Sequence, residues 1–150
     1  MATGSAPKDP FRGYRFKVVI GGITRAGFRE ATGLDASNDA VDYREGDEDP
    51  HLHKLLGLQK YSNITLKRGI TDDLDLWKWR QKAMKGDMKD GAARQNVQIK
   101  VLDDEGKDAA EWTLVRAWIT KWSGPAFNAT ANEVLVDTIE ITHEGLDRVK

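Results

Sequence analysis

Three histidines are the first residues to weigh for chemistry. In His51-Leu52-His53 two imidazoles fall on one side of an extended segment, with Asp47 and Glu48 nearby and His143 distant in sequence. Such a pair can begin a metal site, but a complete site needs further ligands brought in by the fold. Solvated histidines in a polar loop are the simpler reading, and no metal is expected. The run Asp103-Asp104-Glu105-Gly106-Lys107-Asp108 has the oxygen density of a calcium loop. An EF-hand places oxygen ligands first, third and fifth, glycine sixth and a bidentate glutamate later. Here glycine comes fourth and lysine fifth, so the tip of a hairpin fits better. No serine occupies a Gly-x-Ser-x-Gly elbow, and neither a phosphate loop nor a dinucleotide fingerprint occurs. Carboxylates are plentiful, yet nothing marks out one pair as acid and base. Asn63-Ile64-Thr65 and Asn128-Ala129-Thr130 match the glycosylation pattern, which carries no weight without a secretory signal. The expectation is a protein that is not an enzyme and holds no cofactor.

Composition narrows the classes further. A chain of 150 residues, 39% hydrophobic and 31% charged, suits one folded domain with a single core. Its 23 basic and 24 acidic side chains leave a net charge of −1, which argues against general attraction to nucleic acid or acidic membranes. There is no cysteine, so disulfides, thiolate catalysis and cysteine-based zinc sites are excluded. No stretch approaches the roughly 20 apolar residues that span a bilayer. Met1 to Pro10 reads as a flexible arm; Lys8 is followed by no apolar core, so a secretory signal is not expected and folding in the cytoplasm is.

Any functional surface must be positioned by the elements that follow. Tyr14, Phe16, Val18 and Ile20 alternate with Arg15 and Lys17, the period of a half-buried strand. Gly21-Gly22 supplies a turn, and a second strand is expected from Ile23 to Ala31. From Gly33 to Lys60 the pattern weakens. Val41 to Arg44 can form a short strand, Gly46 to Pro50 is acidic and turn-rich, and Leu52, Leu55, Leu56 and Leu58 give an apolar end. So long a connection in a compact domain is usually functional or disordered. Tyr61 to Arg68 reads as a strand. A helix is expected over about 72–85, capped by Thr71 and stopped by Gly86, with Leu74, Trp77, Gln81 and Met84 on one stripe and Leu76, Trp79 and Ala83 flanking it. Val97, Ile99 and Val101 alternate. Trp112, Leu114, Trp118 and Trp122 then occupy even positions against Val115, Ala117 and Ile119 on odd ones, so both faces of that run are expected to be buried. Val134, Val136, Ile139 and Ile141 mark a last strand, whose change of phase at Thr138 predicts a bulge or a change of sheet. The periodic placement of the five tryptophans favours core packing over a nucleic-acid groove, with one or two at subunit contacts. The fold expected is mainly β, a two-sheet antiparallel barrel or sandwich with one flanking helix and a long extended loop over about 33–60.

The stretch Gly57-Leu58-Gln59-Lys60-Tyr61-Ser62-Asn63-Ile64-Thr65-Leu66-Lys67-Arg68-Gly69 closely resembles a signature of contractile-tail tube proteins. That family includes phage tail tubes and the inner tubes of extracellular contractile injection systems, with the Hcp tubes as more distant kin. Further matches follow in the same order: Phe16 to Gly21, Gly33-Leu34, Tyr43-Arg44-Glu45-Gly46, Leu76-Trp77-Lys78-Trp79, Trp112-Thr113-Leu114 with Ala117-Trp118, Lys121 to Pro125, Asn132-Glu133 and His143-Glu144-Gly145-Leu146. Two departures are local: Ile119 and Leu56 stand where the family would have proline. The resemblance implies a single tube domain over 11–150, six copies per ring, and rings stacked into a tube with a β-lined lumen. It implies partners: further copies of this chain, a contractile sheath, baseplate or spike and cap proteins, and a lumenal cargo protein, or DNA in a phage. It places the chain in a particle assembled in the bacterial cytoplasm, with no membrane insertion of its own.

A ring closes through one heterologous interface and stacking uses a second. Open sheet edges can supply the first. The Gly33-to-Lys60 segment is expected to supply the second, its leucines giving apolar contact and its charges selecting register. The residues expected at subunit contacts are Tyr43, Arg44, Glu45, Asp47, Glu48, Leu52, Leu55, Leu58, Lys60, Lys67 and Arg68. Two other classes make different demands: a binding module would show an exposed aromatic groove on a stable monomer, and a carboxylate hydrolase would show a deep pocket.

Overall fold

The computed structural model describes residues 15–25, 28–43, 46, 53–70, 73–130 and 134–150. The arm over Met1 to Pro10, Tyr14, the expected cap Thr71, and Asp72 lie outside them. The described elements run β1 (Phe16–Ile20), β2 (Ile23–Arg25), β3 (Phe28–Thr32), β4 (Ala36–Tyr43), β5 (His53–Tyr61), β6 (Ile64–Gly69), α1 (Asp75–Met84), β7 (Gln95–Leu102), β8 (Asp108–Ser123), β9 (Val136–Thr142) and β10 (Gly145–Arg148). All strand pairs are antiparallel. The pairing runs β2-β1-β7-β8-β9-β6-β3, with β10 on β8 and with β4-β5 as a separate hairpin. The path does not close, so the architecture is an open sandwich rather than a barrel.

Alternation explains why the two layers meet. β6 and β9 each bury every second residue, turning Ile64, Leu66, Ile139 and Ile141 inward. Val18, Ile20, Val97, Ile99 and Leu114 face them from the other layer, and Leu76 and Trp79 of α1 complete the cluster. Burying each such side chain stabilises the fold by about 1.5–3 kcal/mol relative to exposure. The indole of Trp79 satisfies its one donor by giving a hydrogen bond to the Ala93 carbonyl at 2.6 Å.

β8 belongs to both layers. Its first part pairs β7 and β10, and from Trp118 onward it pairs β9. The transition is a bulge: Gln95 sits opposite Ala117, but Val97 sits opposite Leu114, so β8 carries one extra residue. Arg116 takes that place with φ 48, a left-handed conformation normally left to glycine. The extra residue moves the buried face from Ala110 and Leu114 to Ala117 and Ile119. Both parities of this run are therefore buried, as expected, but in succession along the strand.

Three expectations are corrected. The phase change at Thr138 marks no bulge, because β9 pairs β6 without a register shift. Asp137 takes the inward position opposite Arg68, and both are buried. The single strand expected over Ile23 to Ala31 is two strands: β2 completes a hairpin with β1 across Gly21-Gly22, whereas β3 joins β6 in the other layer. The helix begins at Asp75, where the Asp73 carboxylate accepts the Asp75 N–H at 2.9 Å, and Gly86 at φ +79 stops it. Its buried residues are Leu76 and Trp79, while Leu74, Trp77 and Met84 are exposed, so the expected core stripe is the outward one.

Gly33 marks a close crossing of chains. It has φ +99, and a Cβ placed there would overlap the Asn63 carbonyl oxygen, which is backbone and cannot swing away. Gly22, at φ +82, has nothing within 4 Å of the same position. Gly22→Ala should cost about 1–2 kcal/mol, the left-handed penalty alone. Gly33→Ala should cost clearly more; equal denaturant midpoints for the two variants would show that the crossing is not a constraint.

On the outer face of the first layer Asp108 sits between two ammonium groups, 3.0 Å from Lys17 Nζ and 3.2 Å from Lys100 Nζ. The hydrogen bond from Lys17, aided by Lys100 and opposed by desolvation, holds the Asp108 carboxyl below its ordinary range. A carboxyl lowered on folding contributes stability above its unfolded pKa and loses it as pH falls through the folded value. Asp108→Asn should therefore be less stable than the parent at pH 7, and the gap should close under acid titration followed by circular dichroism.

Candidate assembly surfaces

β4 and β5 form a hairpin arm that lies apart from the sandwich. Every residue of β4 is exposed, and on β5 Leu55, Leu56 and Leu58 are 50%, 83% and 67% exposed. The expected extended segment is thus an ordered two-stranded ribbon. Ion pairs tie it across the strands, Asp39 to Lys60 at 3.1 Å and Asp42 to its register partner Lys54. Exposed pairs of this kind contribute only about 0.2–1 kcal/mol each. A lone hairpin is marginal in water, and this one leaves apolar side chains uncovered on both its faces. Val41 and its partner Leu55 share one face, Ala40 and its partner Leu56 the other.

A bulge bends the arm. Three steps on β5, from Leu56 to Gln59, match two on β4, from Ala40 to Asn38. Gly57 sits in that interval, and a Cβ there would lie 2.6 Å from the Asp39 carbonyl oxygen. Glycine lets the strands approach at this point. At the base of the arm the Ser62 N–H reaches the Asp35 carbonyl at 3.4 Å. His143 fastens this base to the sandwich, its ring nitrogens 3.1 Å from the Ser62 and Gly145 carbonyl oxygens and its ring 5.3 Å from that of Tyr61.

The expected contact residues divide among three places. Tyr43, Leu55, Leu58 and Lys60 lie together on the arm and are exposed. Arg44, Glu45, Asp47, Glu48 and Leu52 lie outside the described residues, as does His51. Lys67 is elsewhere, on the outer face of the second layer, 3.6 Å from Glu30. Arg68 is buried, 5% exposed, and donates to the Asp73 carbonyl at 3.2 Å. Sequence reasoning did not single out Val41, although it is as exposed as Leu55; a strand apolar on both faces was the available signal.

The outer face of the second layer is polar. Asn63 donates to Glu140 at 2.8 Å, Thr142 donates to Asn63 at 3.1 Å, and Thr120 donates to the Glu140 carbonyl at 3.3 Å. β3 pairs only β6, β2 only β1 and β10 only β8, so each leaves an edge without an intrachain neighbour among the described residues.

Among the groups first weighed for chemistry, Asp103 and His143 have structural tasks. Asp103 turns its carboxylate to the N–H groups of Glu105 and Lys107, both at 2.9 Å, and so shapes the expected hairpin tip. Among the described residues no group of three or more His, Asp or Glu is placed to hold a metal. A hollow of about 530 Å³ is an open groove along Gly21, Asp90, Arg94 and Arg116, in which both arginines pair with Glu144 and Arg116 also pairs with Asp90.

The described fold is an open β-sandwich with one helix, unpaired sheet edges and a hairpin ribbon that bears exposed apolar side chains. The family model of the T4-like virus tail tube protein gp19 matches residues 12–147, and the chain belongs to that family. Among solved structures it is similar to a chain of the sheath–tube complex of the extracellular contractile injection system PVC in the extended state. The TM-score there is 0.79 at 26% identity, covering 93% of this chain and 90% of that one. It is also similar to a chain in the structure of the anti-feeding prophage cap, which terminates that tube, with a TM-score of 0.82 at 25% identity and coverage of 99% and 98%. Hcp1 from Flavobacterium johnsoniae shares the fold, with a TM-score of 0.55 at 15% identity over 91% of this chain and 95% of that one. Comparison with curated protein sequences finds no match.

Gly57→Ala should loosen the arm and leave the sandwich intact, because the bulge touches no core residue. Amide hydrogen exchange should speed up in β4 and β5 and stay unchanged in β6 to β9; unchanged exchange in the arm would remove the close approach as its constraint.

Proposed function

We propose that this chain is the inner-tube subunit of a bacterial extracellular contractile injection system. The single observation that carries the reading is the tail-tube family match over residues 12–147, which spans both layers, the arm and the helix. The similarity to the PVC sheath–tube chain over most of both lengths favours the injection-system form over a phage tail conducting DNA. In this reading the chain is structural and catalyses nothing. Its partners are other copies of itself in hexameric rings, a contractile sheath, a cap, a baseplate with its spike, and a cargo protein in the lumen. Assembly takes place in the bacterial cytoplasm, and the finished particle acts outside it.

The physics of each part suits this task. Bare edges at β2 and β3 can be extended by a neighbour's strand, and the same contact repeats around a ring. The arm supplies the second interface, between rings. The polar face carrying Asn63, Thr65, Lys67, Glu140 and Thr142 suits a lumen, since short hydroxyl, amide and charged groups offer a passing chain no apolar patch to stick to.

Negative-stain electron microscopy across a concentration series tests the reading. The parent chain should give rings or tubes with a central channel. A variant in which a short glycine–serine linker replaces residues 36–61 should keep its fold, because Asp35 and Ser62 already lie within hydrogen-bond reach, but should form no tubes. Monodisperse small particles of the parent at every concentration would count against self-assembly and in favour of a binding module. Tubes from the armless variant would remove the arm from stacking.

A further inference from the structure

His143 is 8% exposed, and each of its ring nitrogens faces an acceptor. Nδ1 lies 3.1 Å from the Gly145 carbonyl oxygen, and Nε2 lies 3.1 Å from that of Ser62. A carbonyl oxygen only accepts, so both nitrogens are called on to donate. A neutral imidazole has one N–H; in either tautomer its other nitrogen turns a lone pair toward a carbonyl lone pair. The imidazolium has two N–H groups and satisfies both oxygens.

The two oxygens belong to different parts of the molecule. Gly145 opens β10 in the first layer, two residues along the chain from the ring. Ser62 stands between β5 and β6 at the foot of the arm, 81 residues away from it. The surroundings set the charge balance of the ring. Burial opposes a cation, while the two carbonyl oxygens and the Tyr61 ring, 5.3 Å away, favour one. Other titratable groups meet here. Glu144 follows His143 and is taken up by Arg94 and Arg116, the latter also bound to Asp90, and these four charges cancel. Glu140 of β9 accepts from Asn63 on the outer face. Asp35 is exposed, and its backbone carbonyl accepts the Ser62 N–H.

We infer that a proton taken up by His143 is a latch between the arm and the sandwich: the doubly protonated ring bridges Ser62 to Gly145, and loss of that proton frees one end of the bridge. Histidine changes charge between about pH 5 and 8, so the bridge is complete on the acid side of that range and half lost on the alkaline side. The latch stands on the single chain. Its use, holding the arm in one pose for stacking, rests on the tube reading above.

Two measurements on the full chain, below the concentration at which it assembles, test the latch. The first is nitrogen NMR of the His143 ring, assigned through its own backbone. Two N–H groups are expected at about pH 5 and one at about pH 8. An unchanged number of ring N–H groups overturns the inference. The second is amide hydrogen exchange, corrected for the intrinsic effect of pH. The amides of Tyr61 to Asn63 should open about tenfold more readily at about pH 8 than at about pH 5, the worth of one hydrogen bond from a charged donor. In His143→Gln, whose side chain does not titrate, that difference should vanish. The same pH course in the variant and the parent also overturns the inference. Neither outcome bears on the tube reading, which fails only if the parent forms no rings or tubes.

Discussion

The whole architecture turns on one strand having to serve two sheets. β8 is 16 residues long, and its two ends face different partners. A regular strand cannot do this, because its inward face has a strict period of two and a fixed twist. The extra residue at Arg116 shifts the phase and bends the path, so that Leu114 and Ile119 enter the same core from different layers. The left-handed backbone costs about 1–2 kcal/mol in a residue with a Cβ. The site answers it with specific bonds. The Asn96 side chain accepts the Arg116 N–H at 3.2 Å, and the guanidinium is held by Asp90 at 3.0 Å and Glu144 at 2.8 Å. Glu144 in turn binds Arg94 at 2.9 Å, which joins the bend to the turn between β9 and β10.

From this corner the division between stability and assembly follows. The sandwich covers its own apolar core and hydrogen-bonds its buried indole, the register pair Arg68 and Asp137 being polar exceptions among its inward residues. The arm and the outward side of α1 do not, since they hold apolar surface that this chain leaves in water. His143 is the mechanical link between the two, gripping the base of the arm while sitting in the turn that Glu144 braces. The apolar core is therefore completed within one chain, while the arm stays outside it.

Much of this was legible in the residues, and the failures share a cause. The strands around Val18, Leu66 and Ile99 announced themselves by alternation, and the turns at Gly21-Gly22 and Asp103 to Gly106 by their chemistry. The helix was legible too, but its inward side was not: Leu74, Trp77 and Met84 make as good an apolar stripe as Leu76, Trp79 and Ala83. The apparent phase change at Thr138 misled for a related reason. It assumes that inward positions are apolar, whereas Asp137 is inward and paired in register with buried Arg68. The arm escaped recognition as a hairpin because exposure on both faces leaves no alternation to read.

What the sequence determined by itself was most of the core strands and the helix, the absence of cysteine chemistry and the likeness to tail tubes. Those are properties of local pattern and composition, and they survive any arrangement of the chain. The tertiary structure alone decided which side of α1 turns inward, where β8 changes sheets, and that Arg68 is buried while Lys67 is not. Each of these depends on what stands opposite, and periodicity states which residues share a face without stating which face meets the core.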